Sequence, residues 1–260
     1  LAALGPGSAL RGGARLFEGL SHLLEGDDDT ADAVLTHAVD VSTDLGGFAA
    51  ATVASAARAL IAMSRLEWDD AAALVAGAVS LVDEQHLDAY LEASLAFVAA
   101  ARLAVHDGDQ ATARDFVARA ARLRPLLTYA VPCTAWFQLQ LARTYLELAD
   151  PDGARTVLRE TREILRQRPD LGIVPGAVER LHAEVDAARH RSIGASSLTT
   201  AELRLLPYLP THLSFPEIAE RLYLSRHTVT TQAIAIYRKL GATSRSEAIR
   251  RAHDIGLLAT

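Results

Sequence analysis

Over the first 190 residues apolar side chains recur three and four positions apart, the spacing of one helix face, and strand-like alternation is nearly absent. The pattern also repeats with a period of about 40 residues. Its clearest frame is Ala31-Leu35-Ala38, Ala71-Val75-Ala78, Ala113-Val117-Ala120 and Ala154-Leu158-Thr161. Twelve positions before each leading alanine stands a small residue, Gly19, Ala59, Ala101 and Ala142 in turn. Small residues there let two antiparallel helices pack closely. An acidic or glycine-bearing turn separates the helices each time: Gly26-Asp27-Asp28-Asp29, Trp68-Asp69-Asp70, Asp107-Gly108-Asp109 and Asp150-Pro151-Asp152-Gly153. Asp suits such places as a cap and turn former. The spacing predicts four helical hairpins, with inner helices over about 9–25, 47–66, 88–106 and 132–149. A further helix from about Pro175 to Arg191 is expected to cap the array. Arg189 to Ser197, with Gly194 and three serines, reads as a flexible hinge.

Hairpins in this rhythm resemble tetratricopeptide (TPR-like) repeats, although the period is nearer 40 than 34 and Tyr145 alone sits clearly at the usual aromatic place. The resemblance implies a stacked solenoid that binds on its concave surface. Candidates for that surface are Arg58, Arg65, Tyr90, Arg102, Trp136, Gln140 and Arg143, each with an alternative reading as a structural or solvated residue. The most aromatic stretch, 127–137, carries Thr128, Tyr129, Pro132, Trp136 and Phe137. It reads either as packing at a repeat junction or as a ligand pocket.

Beyond residue 197 the pattern changes to short helices with strong start signals. Thr199 with Glu202, Ser214 with Glu217 and Ser244 with Glu247 each have capping-box spacing. Leu198 with Leu203 and Leu213 with Ile218 are the matching hydrophobic staples. The remaining helix starts at Ser225, but Thr228 stands where the others have Glu. A helix start free of carboxylate suits an approach to phosphate. Ile218, Ala219 and Leu222 face the core from one helix; Val229, Ala233, Ile236 and Leu240 form the apolar stripe of the next. The opposite face of that second helix carries His227, Thr230, Thr231, Ile234 and Arg238, a polar and small surface that fits a major groove. Only Tyr223 and Leu224 lie between the two, which predicts the sharp turn of a helix-turn-helix with helix 225–240 as reader. Pro207 is expected to end or kink the first helix of the group.

Residues 198–258 resemble the LuxR-type (GerE-like) bacterial transcription regulators. The motifs carrying the likeness are Leu198-Thr199-x-x-Glu202, Glu217-Ile218-Ala219, Leu224-Ser225-x-x-Thr228-Val229, Ile236-Tyr237-Arg238-Lys239-Leu240-Gly241 and Ser244-Arg245-x-Glu247-Ala248. The resemblance implies a four-helix domain that binds DNA as a dimer, often through its last helix. Here that helix is about 244–257, with Ile249, Ala252 and Ile255 on its apolar side. It further implies phosphate contacts by Ser225, Arg226, Thr228 and Lys239, and base contacts by His227, Thr230, Thr231, Ile234 and Arg238. The family often has Lys and His where this chain has Thr230 and Gln232, so hydroxyl, amide and methyl contacts are expected there. The fourth region of a sigma factor shares the Glu-Ile-Ala and Thr-Val pattern, but the extension from Gly241 to Leu257 argues against it.

Charge first speaks against nucleic acid, since the formal net charge is −6. Its distribution removes the objection. From Ser196 to Thr260 eight Arg and Lys face five Asp and Glu, about +3, while the rest carries 18 against 27, about −9. A basic reader on an acidic body fits local DNA binding. Cys133 is the single cysteine, so an internal disulfide is excluded, and it reads as a small buried side chain. There is no phosphate-cradling Gly-rich loop, no His or Cys ligand cluster and no nucleophile elbow, so neither enzyme activity nor a cofactor is expected. No apolar run approaches a membrane span and no basic-then-apolar leader opens the chain, which points to a cytoplasmic protein without membrane contact. The start at Leu1 without Met reads as a fragment of a longer protein or a processed form.

The expected protein is thus all-α. A TPR-like repeat domain over 1–191 binds a signal or partner, a linker spans 192–197, and a LuxR-type DNA-binding domain spans 198–260. Its partners would be double-stranded DNA, a second copy through helix 244–257, and a small-molecule ligand or protein on the helical body. The alternatives are a TPR-like adaptor and the C-terminal part of a larger ATPase-containing regulator.

Overall fold

The structure, a computed structural model, describes residue 5, residues 7–8, 10–126 and 131–258, with the backbone alone at 131–132 and 190–197. Among these residues there are thirteen α-helices and no strand. They are α1 (Leu10–Glu25), α2 (Asp28–Asp44), α3 (Phe48–Ser64), α4 (Trp68–Glu84), α5 (Ala93–His106), α6 (Gln110–Leu123), α7 (Val131–Glu147), α8 (Pro151–Gln167), α9 (Val174–Ser197), α10 (Thr200–Leu205), α11 (Phe215–Leu222), α12 (Arg226–Lys239) and α13 (Arg245–Asp254). The chain divides into two compact units, Leu1–Val185 and Asp186–Thr260. The boundary falls inside α9, which runs on through the residues read as a hinge.

In the first unit α1–α2, α3–α4, α5–α6 and α7–α8 pair as hairpins. The repeated alanine frame is the seam of each pair, and every one of its residues is buried. Gly19 shows why the partner position is small: a β-carbon there would lie 2.6 Å from the Cγ of buried Leu35. The turns repeat too. Gly26, Leu66, Gly108 and Ala149 all take left-handed backbone, at φ of 83°, 63°, 79° and 57°. The next residue then starts the outer helix. Asp27, Asp109 and Asp150 do so by accepting the amides of Thr30, Thr112 and Gly153.

Leu66 pays the left-handed cost without packing in return, since it is 73% exposed. That cost is about 1–2 kcal/mol for an L side chain, and part of it is regained because glycine loses more freedom on folding. Leu66→Gly is therefore expected to stabilise this unit by about 0.5–1 kcal/mol. Both tryptophans, Trp68 and Trp136, lie here, so urea unfolding followed by tryptophan fluorescence reads this unit specifically. A lower midpoint for Leu66→Gly would contradict the strain.

Most of α3 and α5 is buried, so the inner helices carry the core. Several residues expected on a binding surface instead join neighbouring hairpins. Arg58 Nε donates to Asp32 at 2.8 Å and Arg65 to Asp29 at 2.6 Å. Arg102 reaches Glu147 and Gln140 of α7 at 3.3 Å each. Trp136 is buried, whereas Tyr90 and Arg143 are exposed. Thr128 and Tyr129, and the side chain of Pro132, lie outside the described residues. The array also returns on itself. After α8 the Ile173 amide donates to the Leu24 carbonyl at the end of α1, at 2.8 Å, and α1 touches α7.

The second unit has its own core, built from Leu198, Leu205, Leu209, Ile218, Val229 and Ile236 among others. The stripe Val229, Ala233, Ile236 and Leu240 is buried as expected. At Pro207 α10 gives way to a 3-10 turn over Leu206–Tyr208. No helix among the described residues is long and apolar enough to cross a membrane.

Candidate nucleic-acid interface

The turn between α11 and α12 is built on one residue. Tyr223 takes left-handed backbone (φ 54°, ψ 44°), and its amide bonds the carbonyls of Ala219 and Glu220. The Leu224 amide then closes onto Ala219 O at 2.9 Å. Ser225 follows as the cap of α12. Its Oγ accepts the Thr228 amide at 3.0 Å and shares a hydrogen bond with the Thr228 hydroxyl at 2.8 Å. No acidic residue stands in the first turn of α12, so the positive end of its dipole is not offset.

By contrast α10, α11 and α13 each have Glu in the first turn. Glu202 accepts the Thr199 amide at 2.6 Å, completing the first capping box. Glu217 accepts both the amide and the hydroxyl of Ser214. At α13 Ser244 caps the Glu247 amide, but the Glu247 carboxylate bonds Thr243, one residue before the cap.

Along α12, His227, Thr231, Ile234 and Arg238 are exposed at spacings of 4, 3 and 4, one line on the face opposite the core stripe. Ile234 is 59% exposed, unusual for so apolar a side chain. Ser225 and Arg226 are exposed at the helix start, and Thr228 is half-buried beside them. The other predicted residues lie off this line. Thr230 is half-buried and donates its hydroxyl to the Arg226 carbonyl at 2.9 Å. Gln232 is half-buried, its side-chain oxygen buried with no partner among the described residues. Lys239 turns inward, its Nζ 2.7 and 2.9 Å from the two carboxylate oxygens of Glu202. The turn adds two exposed side chains that the sequence assigns to the turn and not to the binding face: Tyr223, 95% exposed, and Leu224. Their place in a two-residue turn is the only signal that could have found them.

The Lys239–Glu202 pair locks α12 to α10. Burial alone would raise the Glu202 pKa, but hydrogen bonds from Lys239 and Thr199 outweigh it and hold the carboxyl below its usual range. Glu217 and Glu247 are held low as well, by their bonds to Ser214 and Thr243. Carboxyls lowered in the folded state add stability that is full above their ordinary value of 4.5 and is lost as pH falls through the folded values. This unit is therefore expected to weaken on acidification below that value. Lys239→Met keeps the aliphatic stem and strands the carboxylate, so it should cost about 2 kcal/mol. It should leave the salt dependence of any DNA binding unchanged. A changed salt slope with unchanged stability would return Lys239 to the phosphates.

Arg245 holds α13 in place, donating to the carbonyls of Leu209 at 2.8 Å and Thr211 at 3.0 Å. Ala248 and Ala252 are buried, and Ile249 and Ile255 are partly buried against the same core. The exposed side of α13 carries Ser246, Arg250, His253 and Asp254.

Residues 196–252, about a fifth of the chain, match the GerE family model, bacterial regulatory proteins of the luxR family. The second unit thus contains a luxR-family helix-turn-helix, a DNA-binding module of transcription regulators. A comparison with curated proteins gives no match.

Proposed function

We propose, from the luxR-family domain at residues 196–252, that this chain is a cytoplasmic transcription regulator that binds operator DNA as a dimer, with α12 in the major groove. The supporting observation is the exposed line of His227, Thr231, Ile234 and Arg238 on a helix whose start bears no carboxylate. Ser225, Arg226, Thr228 and the first amides of α12 hold phosphates. Arg238 and His227 meet base edges as donors, Thr231 as a hydroxyl, and Ile234 packs on a thymine methyl. Thr230 and Gln232 flank the line and shape its edge, while Lys239 positions the helix. The two copies meet through the outer side of α13, where Arg250 and Asp254 are complementary across a twofold axis. The helical body receives the signal that changes dimerisation or access to DNA.

Two variants separate the roles. Thr231→Ala is expected to change the sequences that the whole chain selects from a random duplex pool. Arg226→Ala is expected to weaken all sequences alike and to lower the slope of log affinity against log salt by about one. Uniform loss from both variants would reject the groove assignment.

A further inference from the structure

We propose that the first unit binds an apolar small molecule in a hollow formed at the N-terminal ends of α1, α3, α5 and α7. The inference rests on the reading of this unit as the signal receiver and names the chemistry of the signal.

The hollow has a volume of about 440 Å³, within the roughly 300–1,000 Å³ of small-ligand sites. Its wall is apolar: Leu16, Phe17 and Leu20 from α1, Val53 from α3 and Phe137 from α7. Deeper along α3 the chain is solidly packed, from Ala54 to Ala57 and from Ala59 to Met63. The space therefore ends where α3 becomes closely packed, and its apolar wall sets it apart from two clefts of about 360 and 400 Å³ in the same unit that are lined largely by charged side chains.

Gly13 shows that the space is not demanded by helix packing. On the same helix, β-carbons at Gly12 and Gly19 would collide with Ser42 and Leu35, so those glycines serve the α1–α2 contact. Gly13 lines the hollow, and a β-carbon there would meet nothing within 4 Å. Gly13 is the fourth residue of α1, where glycine is a poorer helix former than alanine, and here it leaves room.

Besides the hydroxyl of Thr134, the wall carries one carboxylate. Glu92 precedes α5, half-buried, with no side-chain cap bond and no ion pair among the described residues. Buried or half-buried polar groups gain from a partner. The occupant fitting this wall has an aromatic or branched aliphatic body and one hydroxyl or amine donor directed at Glu92.

The probe is N-phenyl-1-naphthylamine, a neutral apolar amine, titrated into the whole chain and read by energy transfer from Trp68 and Trp136, both in this unit. Saturable binding of one probe per chain is expected. Gly13→Leu fills the hollow and improves the helix. It should lower affinity at least tenfold while helical circular dichroism and urea midpoint hold. Glu92→Gln should lower it several-fold. Cys133, also on the wall, reports the place directly. Burial pushes its thiol up to about 11, so alkylation is slow, and bound probe should slow it further. No saturable binding, equal affinity in Gly13→Leu, or unprotected Cys133 would each overturn the proposal. DNA binding without probe binding would sink the hollow and spare the regulator; the reverse would sink the regulator alone.

Discussion

Replacing Ile234 by Glu is expected to lower the affinity of the whole chain for every DNA duplex by roughly a hundredfold or more. Ile234 is exposed, lies mid-way along the outer line of α12 and makes no core contact that the substitution would remove. Glu is a better helix former than Ile, so the helix should persist. What changes is the charge that meets the groove. A carboxylate between Thr231 and Arg238 is repelled by two phosphate strands, loses the thymine methyl contact, and neutralises Arg238 four residues on. Leu66→Glu makes the same change in net charge at an exposed turn of the other unit, and should shift affinity by less than about twofold. Fluorescence anisotropy at fixed salt compares the three proteins. Ile234→Glu binding as tightly as Leu66→Glu would mean that this face does not meet DNA.

The second large effect is on the fold of the first unit. Gly172 has a φ of 54°, and a β-carbon on it would lie 1.8 Å from the Leu24 carbonyl oxygen and 2.7 Å from its carbon. Those are backbone atoms, which cannot rotate aside as a side chain would. Gly172→Ala must therefore push the 171–174 segment off α1 and break the bond from the Ile173 amide to Leu24. Left-handed strain of about 1–2 kcal/mol and a lost backbone hydrogen bond of about 1 kcal/mol give an expected cost of about 2–4 kcal/mol. Gly77→Ala is the control, an exposed mid-helix glycine in α4 with open space around it, expected to be neutral or stabilising. Tryptophan fluorescence in urea reads both. An unchanged midpoint for Gly172→Ala would show that the return of the chain to α1 does not hold the unit together.

What the amino-acid sequence revealed and what it hid divide along chain distance. The frame Ala31-Leu35-Ala38 and its three echoes are periodic over one helix, so the seams could be read and are buried. The caps at Thr199, Ser214, Ser225 and Ser244 act over three residues and were equally readable. The outer line of α12 followed from the same arithmetic as its core stripe. Lys239 did not, because its partner Glu202 lies 37 residues away, and a lysine near a helix end looks like any surface cation. Gln232 is a different case: the family resemblance singles it out, and local periodicity already sets it off the line, because one step along a helix turns a side chain far enough to leave a groove face. The contact of Ile173 with Leu24 joins distant ends of the unit and leaves no local pattern. The stretch 127–137 reads as a pocket or a junction; its Cys133, Thr134 and Phe137 line the hollow, while the rest of the wall comes from α1, α3 and the residues just before α5.

DNA binding by α12 is tested most directly by titrating the whole chain against a random duplex pool at several salt concentrations and recovering the bound sequences. Binding that falls steeply with salt and enriches a recurring motif of two half-sites is the expected result. Absence of binding at low salt, or binding that salt does not weaken, would contradict the assignment of α12 as a DNA reader.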